Sequence, residues 1–163
     1  MQEKNIKNKL SLPKVEKIVI NTGTADLAKN KESWEKLISD LAKISGQKPK
    51  VTRAKVSIAG FNLREGQLVG LKVTLRHAKM QGFQEKLTKV ILPRLRDFRG
   101  IPKRGFDKNG NYTLGLAEHT VFPEIDITKV DRPRGLEITI VTNAGSPEKG
   151  FELLKSLGFP FEK

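Results

Sequence analysis

Apolar positions along the 163-residue chain switch between a two-residue and a three-to-four-residue period, and the switches mark its elements. Residues 16–21 alternate, with Ile18 and Ile20 on one side and Lys17, Val19 and Asn21 on the other. From residue 31 to 45 the spacing becomes helical, through Trp34, Leu37, Ile38, Leu41 and Ile44. Asn30 stands where an N-cap belongs, and Gly46 where a left-handed C-terminal residue belongs. Alternation then returns twice. Thr52, Ala54, Val56 and Ile58 oppose Arg53, Lys55 and Ser57, and Leu71, Val73 and Leu75 oppose Lys72, Thr74 and Arg76. This predicts two strands joined by a glycine-punctuated loop, each with one apolar side and one cationic side.

Residues 79–92 are helical again, with Met80, Phe83, Leu87, Val90 and Ile91 as the stripe and Pro93 marking an end or a kink. Asn109-Gly110 is a hairpin signal ahead of alternating Tyr112, Leu114 and Leu116. Phe122-Pro123-Glu124-Ile125 reads as extended and irregular, because proline cannot donate to a central ladder. Leu136, Ile138 and Ile140 define a last strand. Ser146-Pro147 opens a last helix that Gly158 closes. The order predicts an α+β fold, a largely antiparallel β-sheet with helices packed on one face. A short polar arm over residues 1–12 precedes a single domain over residues 13–163.

Charge changes the picture from a fold to a surface. The net charge is +13. Residues 1–100 hold 22 Lys or Arg against 9 Asp or Glu, whereas residues 101–163 hold 9 of each. Residues 46–106 alone hold 15 basic side chains against 3 acidic ones. Clustering of this kind is the footprint of a polyanion-binding protein, nucleic acid first. There is no cysteine, which excludes disulfides, thiolate metal sites and cysteine nucleophiles and fits a reducing compartment. No apolar run approaches the roughly 20 residues of a membrane span, and the lysine-rich start lacks the apolar core of a signal peptide. A soluble, unexported protein with no membrane partner is expected.

Catalytic chemistry finds little support. His77 and His119 are isolated from any nucleophile or metal-ligand spacing. Glu124 and Asp126, two apart, could share a strand face and ligate magnesium, the basis of a metal-dependent RNA-processing reading. Gly60, Gly66 and Gly70 fit no phosphate-loop spacing. No catalytic residue, metal site or cofactor is assigned. Binding has more behind it: Arg53, Lys55, Lys72 and Arg76 could neutralise phosphates, while Asn21, Gln47 and Thr74 could reach riboses or base edges. The low aromatic content points away from base stacking and toward folded RNA read by shape. A binder driven by charge alone, without preference among RNAs, is the other alternative.

Several motifs occur in a familiar order: Val15-Glu16-Lys17-Ile18-Val19-Ile20-Asn21, Ser45-Gly46-Gln47-Lys48-Pro49, Val51-Thr52-Arg53-Ala54-Lys55, Leu92-Pro93-Arg94-Leu95-Arg96-Asp97-Phe98-Arg99-Gly100 and Gly110-Asn111-Tyr112-Thr113-Leu114-Gly115. Phe122-Pro123-Glu124-Ile125 and Leu157-Gly158-Phe159-Pro160-Phe161 complete the set. From about Leu12 onward the chain resembles the bacterial universal large-subunit ribosomal protein five family. The resemblance implies a cytoplasmic ribosomal protein of the large subunit, bound to 5S rRNA and large-subunit rRNA beside neighbouring central-protuberance proteins. It implies that Asn21, Gln47 and Thr74 grip 5S rRNA, with Arg53, Lys55 and Lys72 as neighbours. It also implies that the loop Ser57, Ile58, Ala59, Gly60, Phe61, Asn62, Leu63 and Arg64 approaches P-site tRNA. Residues 108–115 and 130–135 would face small-subunit ribosomal protein thirteen. The chain departs from relatives in having few residues before Pro13, and in Lys50, where they usually carry a small or apolar residue.

Overall fold

The structure is a computed structural model and describes residues 12–24 and 31–162. Five strands form one antiparallel sheet: β1 (Val15–Gly23), β2 (Lys50–Arg53), β3 (Leu68–Leu75), β4 (Tyr112–Leu116) and β5 (Leu136–Thr142), in the order β2-β3-β1-β5-β4. Each neighbouring pair is antiparallel. The helices are α1 (Lys31–Ser45), α2 (His77–Lys86), α3 (Leu92–Arg94) and α4 (Pro147–Ser156). The expected α+β architecture is what the chain forms. The arm expected over residues 1–12 lies, but for Leu12, outside the described residues, as does the Asn30 cap.

Alternation assigns the two sides of the sheet. Ile18 and Ile20 of β1 stand opposite Leu75 and Val73 of β3 and opposite Ile140 and Ile138 of β5. These six side chains are buried, with Trp34, Leu37, Leu41 and Ile44 of α1 and Met80 and Phe83 of α2 packed over them. Burying an aliphatic side chain of this size stabilises the fold by roughly 1.5–3 kcal/mol. Helices therefore cover one side of the sheet, and among the described residues the other side has no helical layer.

Two elements differ from the periodicity. The strand expected over residues 52–58 ends at Arg53, and Val56 and Ile58 are 66% and 44% exposed instead of joining the core. Strand β3 begins only at Leu68, so beyond Arg53 the chain leaves the sheet and pairs within its own loop instead. Pro93 stands one residue before the second amphipathic stretch ends at Arg94, as expected, but behind an irregularity that the periodicity does not show. Residues Leu87–Ile91 widen into a π-helical turn, and α3 carries Pro93 in its first positions. A wider turn accommodates a residue that lacks an N–H donor. The Thr88 hydroxyl lies 3.1 Å from the Gln84 carbonyl, within donating distance at that irregularity.

The C-terminal helix follows its sequence signals. The Ser146 side chain accepts from the Lys149 N–H with Pro147 at the first helical position. Beyond its end, the Gly158 and Phe159 N–H groups return to the Lys155 and Leu154 carbonyls.

Candidate nucleic-acid interface

The uncovered side of the sheet presents two rows that register fixes. In the first, Lys50 of β2, Lys72 of β3, Asn21 of β1, Glu137 of β5 and Gly115 of β4 follow one another across the strands. In the second, Thr74, Val19, Thr139 and Thr113 do the same, and the Thr113 and Thr139 hydroxyls lie 3.3 Å apart. Lys17 alternates onto this side below Val19, and Arg76 follows Thr74 in extended backbone. Lys50, Lys72 and Arg76 are exposed, and Asn21 and Thr74 are half-buried. Against these cations the two rows set one carboxylate, Glu137. The result is a positive hydrogen-bonding surface bordered by hydroxyls.

Gln47 reaches this surface because of how α1 ends. Gly46 takes the left-handed conformation (φ 65°), a geometry that penalises a side chain. The Ser45 hydroxyl donates to the Leu41 carbonyl at 2.6 Å and accepts the Gln47 N–H at 3.3 Å. Lys79 and Lys86 donate to the Gly46 and Ile44 carbonyls at 3.0 and 2.6 Å, compensating the partial negative charge of the helix end. Held by this turn, Gln47 donates its Nε2 to the Thr74 carbonyl at 3.2 Å. Gly70 completes the close packing of β1, β2 and β3, since a Cβ there would stand 2.8 Å from the Thr22 carbonyl oxygen.

The segment between β2 and β3 is a built loop. Ile58 and Leu63 exchange both backbone hydrogen bonds, at 2.9 and 3.1 Å, and Asn62 turns the tip in the left-handed region (φ 49°). At the base, Ala54 N–H donates to Gln67 O and Gly66 N–H to Ala54 O, both at 2.9 Å. The Glu65 N–H donates to the Ser57 hydroxyl, and the Arg53 guanidinium to the Gly66 carbonyl at 2.9 Å. Phe61 is 80% exposed at the tip.

The structure thus brings Asn21, Gln47, Lys72, Thr74 and Arg76 together and separates Arg53 and Lys55 from them. Arg53 belongs to the base of the loop, and Lys55 lies within the loop. Sequence reasoning gave no role to Thr113, Thr139 or Lys17, and it named Phe61 only as one member of the loop over residues 57–64. Lys17 was findable from its shared parity with Asn21; the hydroxyl row needed the register. Nothing in the pattern singles Phe61 out from the rest of that loop, since an aromatic between glycine and asparagine fits a turn equally well.

Other candidate groups fall elsewhere. Glu124 and Asp126 do not share a strand face. Glu124 pairs with Lys86 at 2.7 Å, and Asp126 caps a short turn and pairs with Lys129 at 3.2 Å. Hydrogen bonds from Thr128 and Lys129 hold the Asp126 carboxyl below its ordinary pKa. Among the described residues no group of three His, Asp or Glu side chains is placed to hold a metal ion. His119 is 2% exposed; its Nδ1 accepts the Arg134 N–H at 3.0 Å, and its Nε2 lies 4.0 Å from Asp40. No helix among the described residues is long and apolar enough to cross a membrane.

Comparison with known families gives two matches that follow one another along the chain. A family described as ribosomal protein L5 matches residues 8–64. The C-terminal region of the same ribosomal family, described separately, matches residues 68–161.

Proposed function

Because the chain belongs to the ribosomal L5 family, a family of non-catalytic structural proteins of the large ribosomal subunit, we propose that its open sheet side is the surface that binds 5S rRNA. Association with the ribosome and its rRNA, in the cytoplasm, follows from the family. The 5S assignment rests on one observation above the others. Asn21, Lys72 and Lys50 lie in a single cross-strand row, with Thr74 in the next row and Gln47 hydrogen-bonded to it. Cations in such a row neutralise phosphates, and the amides and hydroxyls between them reach riboses or base edges.

In this reading the loop over residues 57–64 is a second contact, directed at P-site tRNA. Its internal hydrogen bonds hold Phe61 outward with Lys55 and Arg64 on the same loop. The hairpin over residues 108–115 and the segment over residues 130–135 face small-subunit ribosomal protein thirteen. Asp107 shapes that hairpin by accepting the Asn109 and Asn111 N–H groups at 2.9 and 2.8 Å. Burial alone would raise the pKa of this carboxyl, but the hydrogen bonds outweigh it and the net shift is downward.

Crosslinking of assembled large subunits tests the proposal. Crosslinks from a photoreactive group at position 72 to 5S rRNA support it; crosslinks confined to other rRNA would reject it.

A further inference from the structure

His119 satisfies only one of its two ring nitrogens. Its backbone N–H donates to the Arg134 carbonyl at 2.8 Å, and its Nδ1 accepts the Arg134 N–H at 3.0 Å. A ring nitrogen that accepts carries no proton, so the proton of the neutral imidazole sits on Nε2. Burial favours that neutral form and holds the pKa below its ordinary value. The Nε2–H is thus a donor on a side chain only 2% exposed. Facing it, Asp40 Oδ2 stands at 4.0 Å, too far for a hydrogen bond. The other Asp40 oxygen lies 3.7 Å from Lys43 Nζ, which is also too far. Among the described residues no hydrogen bond reaches either Nε2 or Oδ2. A buried donor and a buried acceptor therefore stand side by side, both unused, and leaving such groups unpaired is costly.

Both residues line a cavity of about 300 Å³ between α1 and the chain that returns from β4 to β5. Leu37, which is buried, and Val130, which is half-buried, give it apolar walls. At its rim Ser33 and Lys36 donate to Asp131 at 3.2 and 3.3 Å, and these charges are matched internally. The polar demand left is the pair on the floor. A carboxylate offers only acceptors, and an ammonium or guanidinium only donors, so either would serve one floor atom and confront the other. A carboxamide presents a carbonyl and an NH₂ on adjacent atoms of one plane, and so serves both. A water or a hydroxyl can also bridge the two atoms. The cavity is far larger than one water needs, however, and its apolar walls suit the alkyl stem behind an amide head.

We propose that this cavity binds a primary carboxamide on a short alkyl stem, held between the His119 Nε2–H and the Asp40 carboxylate. The site shares no residue with the open sheet side and stands independently of the RNA-binding reading. The full chain, isotope-labelled, is titrated with propionamide at neutral pH while NMR follows the His119 ring nitrogens and the Arg134 amide. His77, the other histidine, is the internal control. Saturable shifts are expected at millimolar propionamide, with propionate, propylammonium and propanol each weaker by roughly tenfold or more. Asp40→Ala should weaken propionamide by about tenfold while the His119–Arg134 signals keep their positions. Should that variant disturb the fold, Val130→Phe narrows the cavity without touching either polar atom and should weaken propionamide likewise. Absence of a saturable shift, which would leave the cavity to water, overturns the site. So does an equal response to propanol or to either ion, or full affinity in both variants. Comparing L-glutamine with N-acetylglutamine N-methylamide then separates two sources of the same chemistry. Tighter binding of the free amino acid supports a small-molecule site, and tighter binding of the capped residue supports capture of a partner protein's side chain.

Discussion

Lys50 on β2 and Lys72 on β3 stand directly opposite each other across the antiparallel ladder, with Asn21 next in the same row. Like charges placed opposite on a sheet destabilise it, by up to roughly 0.5–1 kcal/mol. Replacing Lys50 by Gln is therefore expected to raise the melting temperature at low salt, with the gain shrinking as salt screens the pair. The same change should reduce the salt slope of RNA binding by about one unit. A stability gain without any change in slope would make Lys50 a solvated side chain and nothing more.

Gln47 joins the end of α1 to the edge of β3 through its hydrogen bond to the Thr74 carbonyl. Truncation to Ala should cost about 1 kcal/mol of stability, measured by urea denaturation. On the proposed reading it should also erode the preference for 5S rRNA over generic duplex, because the amide proposed to meet the RNA goes with it. Loss of stability with the preference intact would leave Gln47 a structural tie.

Arg53 has an internal partner, the Gly66 carbonyl, at the mouth of the loop. Arg53→Ala is thus expected to accelerate hydrogen exchange at the Ala54 and Gly66 amides, whose bonds close that mouth. A drop in RNA salt slope of about one unit without faster exchange would instead make Arg53 a plain phosphate contact.

His119 is buried against α1, and burial depresses its pKa below the ordinary value despite the opposing pull of Asp40. Glu118 also favours the charged ring, and the charge of Arg134 disfavours it. Protonation of Nδ1 would in addition destroy its bond from the Arg134 N–H. A folded pKa below the unfolded one means that the unfolded chain binds more protons, so stability rises with pH in that interval. Stability from this group should be complete above about pH 6.5 and fall as pH drops toward the folded value. His119→Gln should flatten that part of the profile in denaturation measured from pH 5 to 8; an unchanged slope would show that other groups set it.

His77 begins α2 in the left-handed region (φ 51°) with its side chain exposed. That conformation is costly for any residue with a Cβ and free of that penalty for glycine. His77→Gly should raise stability by up to about 1 kcal/mol and leave RNA affinity within about twofold. A lower melting temperature would mean that the imidazole makes a favourable contact.

Much of this architecture is visible in the periodicity. Ile18 and Ile20, Leu71, Val73 and Leu75, and the stripe from Trp34 to Ile44 reach the core that their spacing implies. Periodicity reports which side a residue would take, not whether a neighbouring strand exists to pair with. That is why Thr52 through Ile58 reads as a strand although only residues up to Arg53 find partners in β3. It also cannot reveal the π-helical turn that precedes Pro93. For the interface, Asn21, Lys72 and Thr74 are individually recognisable as polar residues on strands. Their alignment with Lys50, Thr113 and Thr139 depends on the register between segments more than 100 residues apart in places, which no local pattern encodes.

The most direct test is a competition between 5S rRNA and a generic RNA duplex of the same length for the full chain at physiological salt, with Asn21→Ala alongside. The open side of the sheet should hold 5S rRNA roughly tenfold or more tightly than the duplex, and Asn21→Ala should remove most of that margin. Equal affinity for the two RNAs, or equal weakening of both by Asn21→Ala, would contradict a 5S rRNA-binding surface built on β1, β2 and β3.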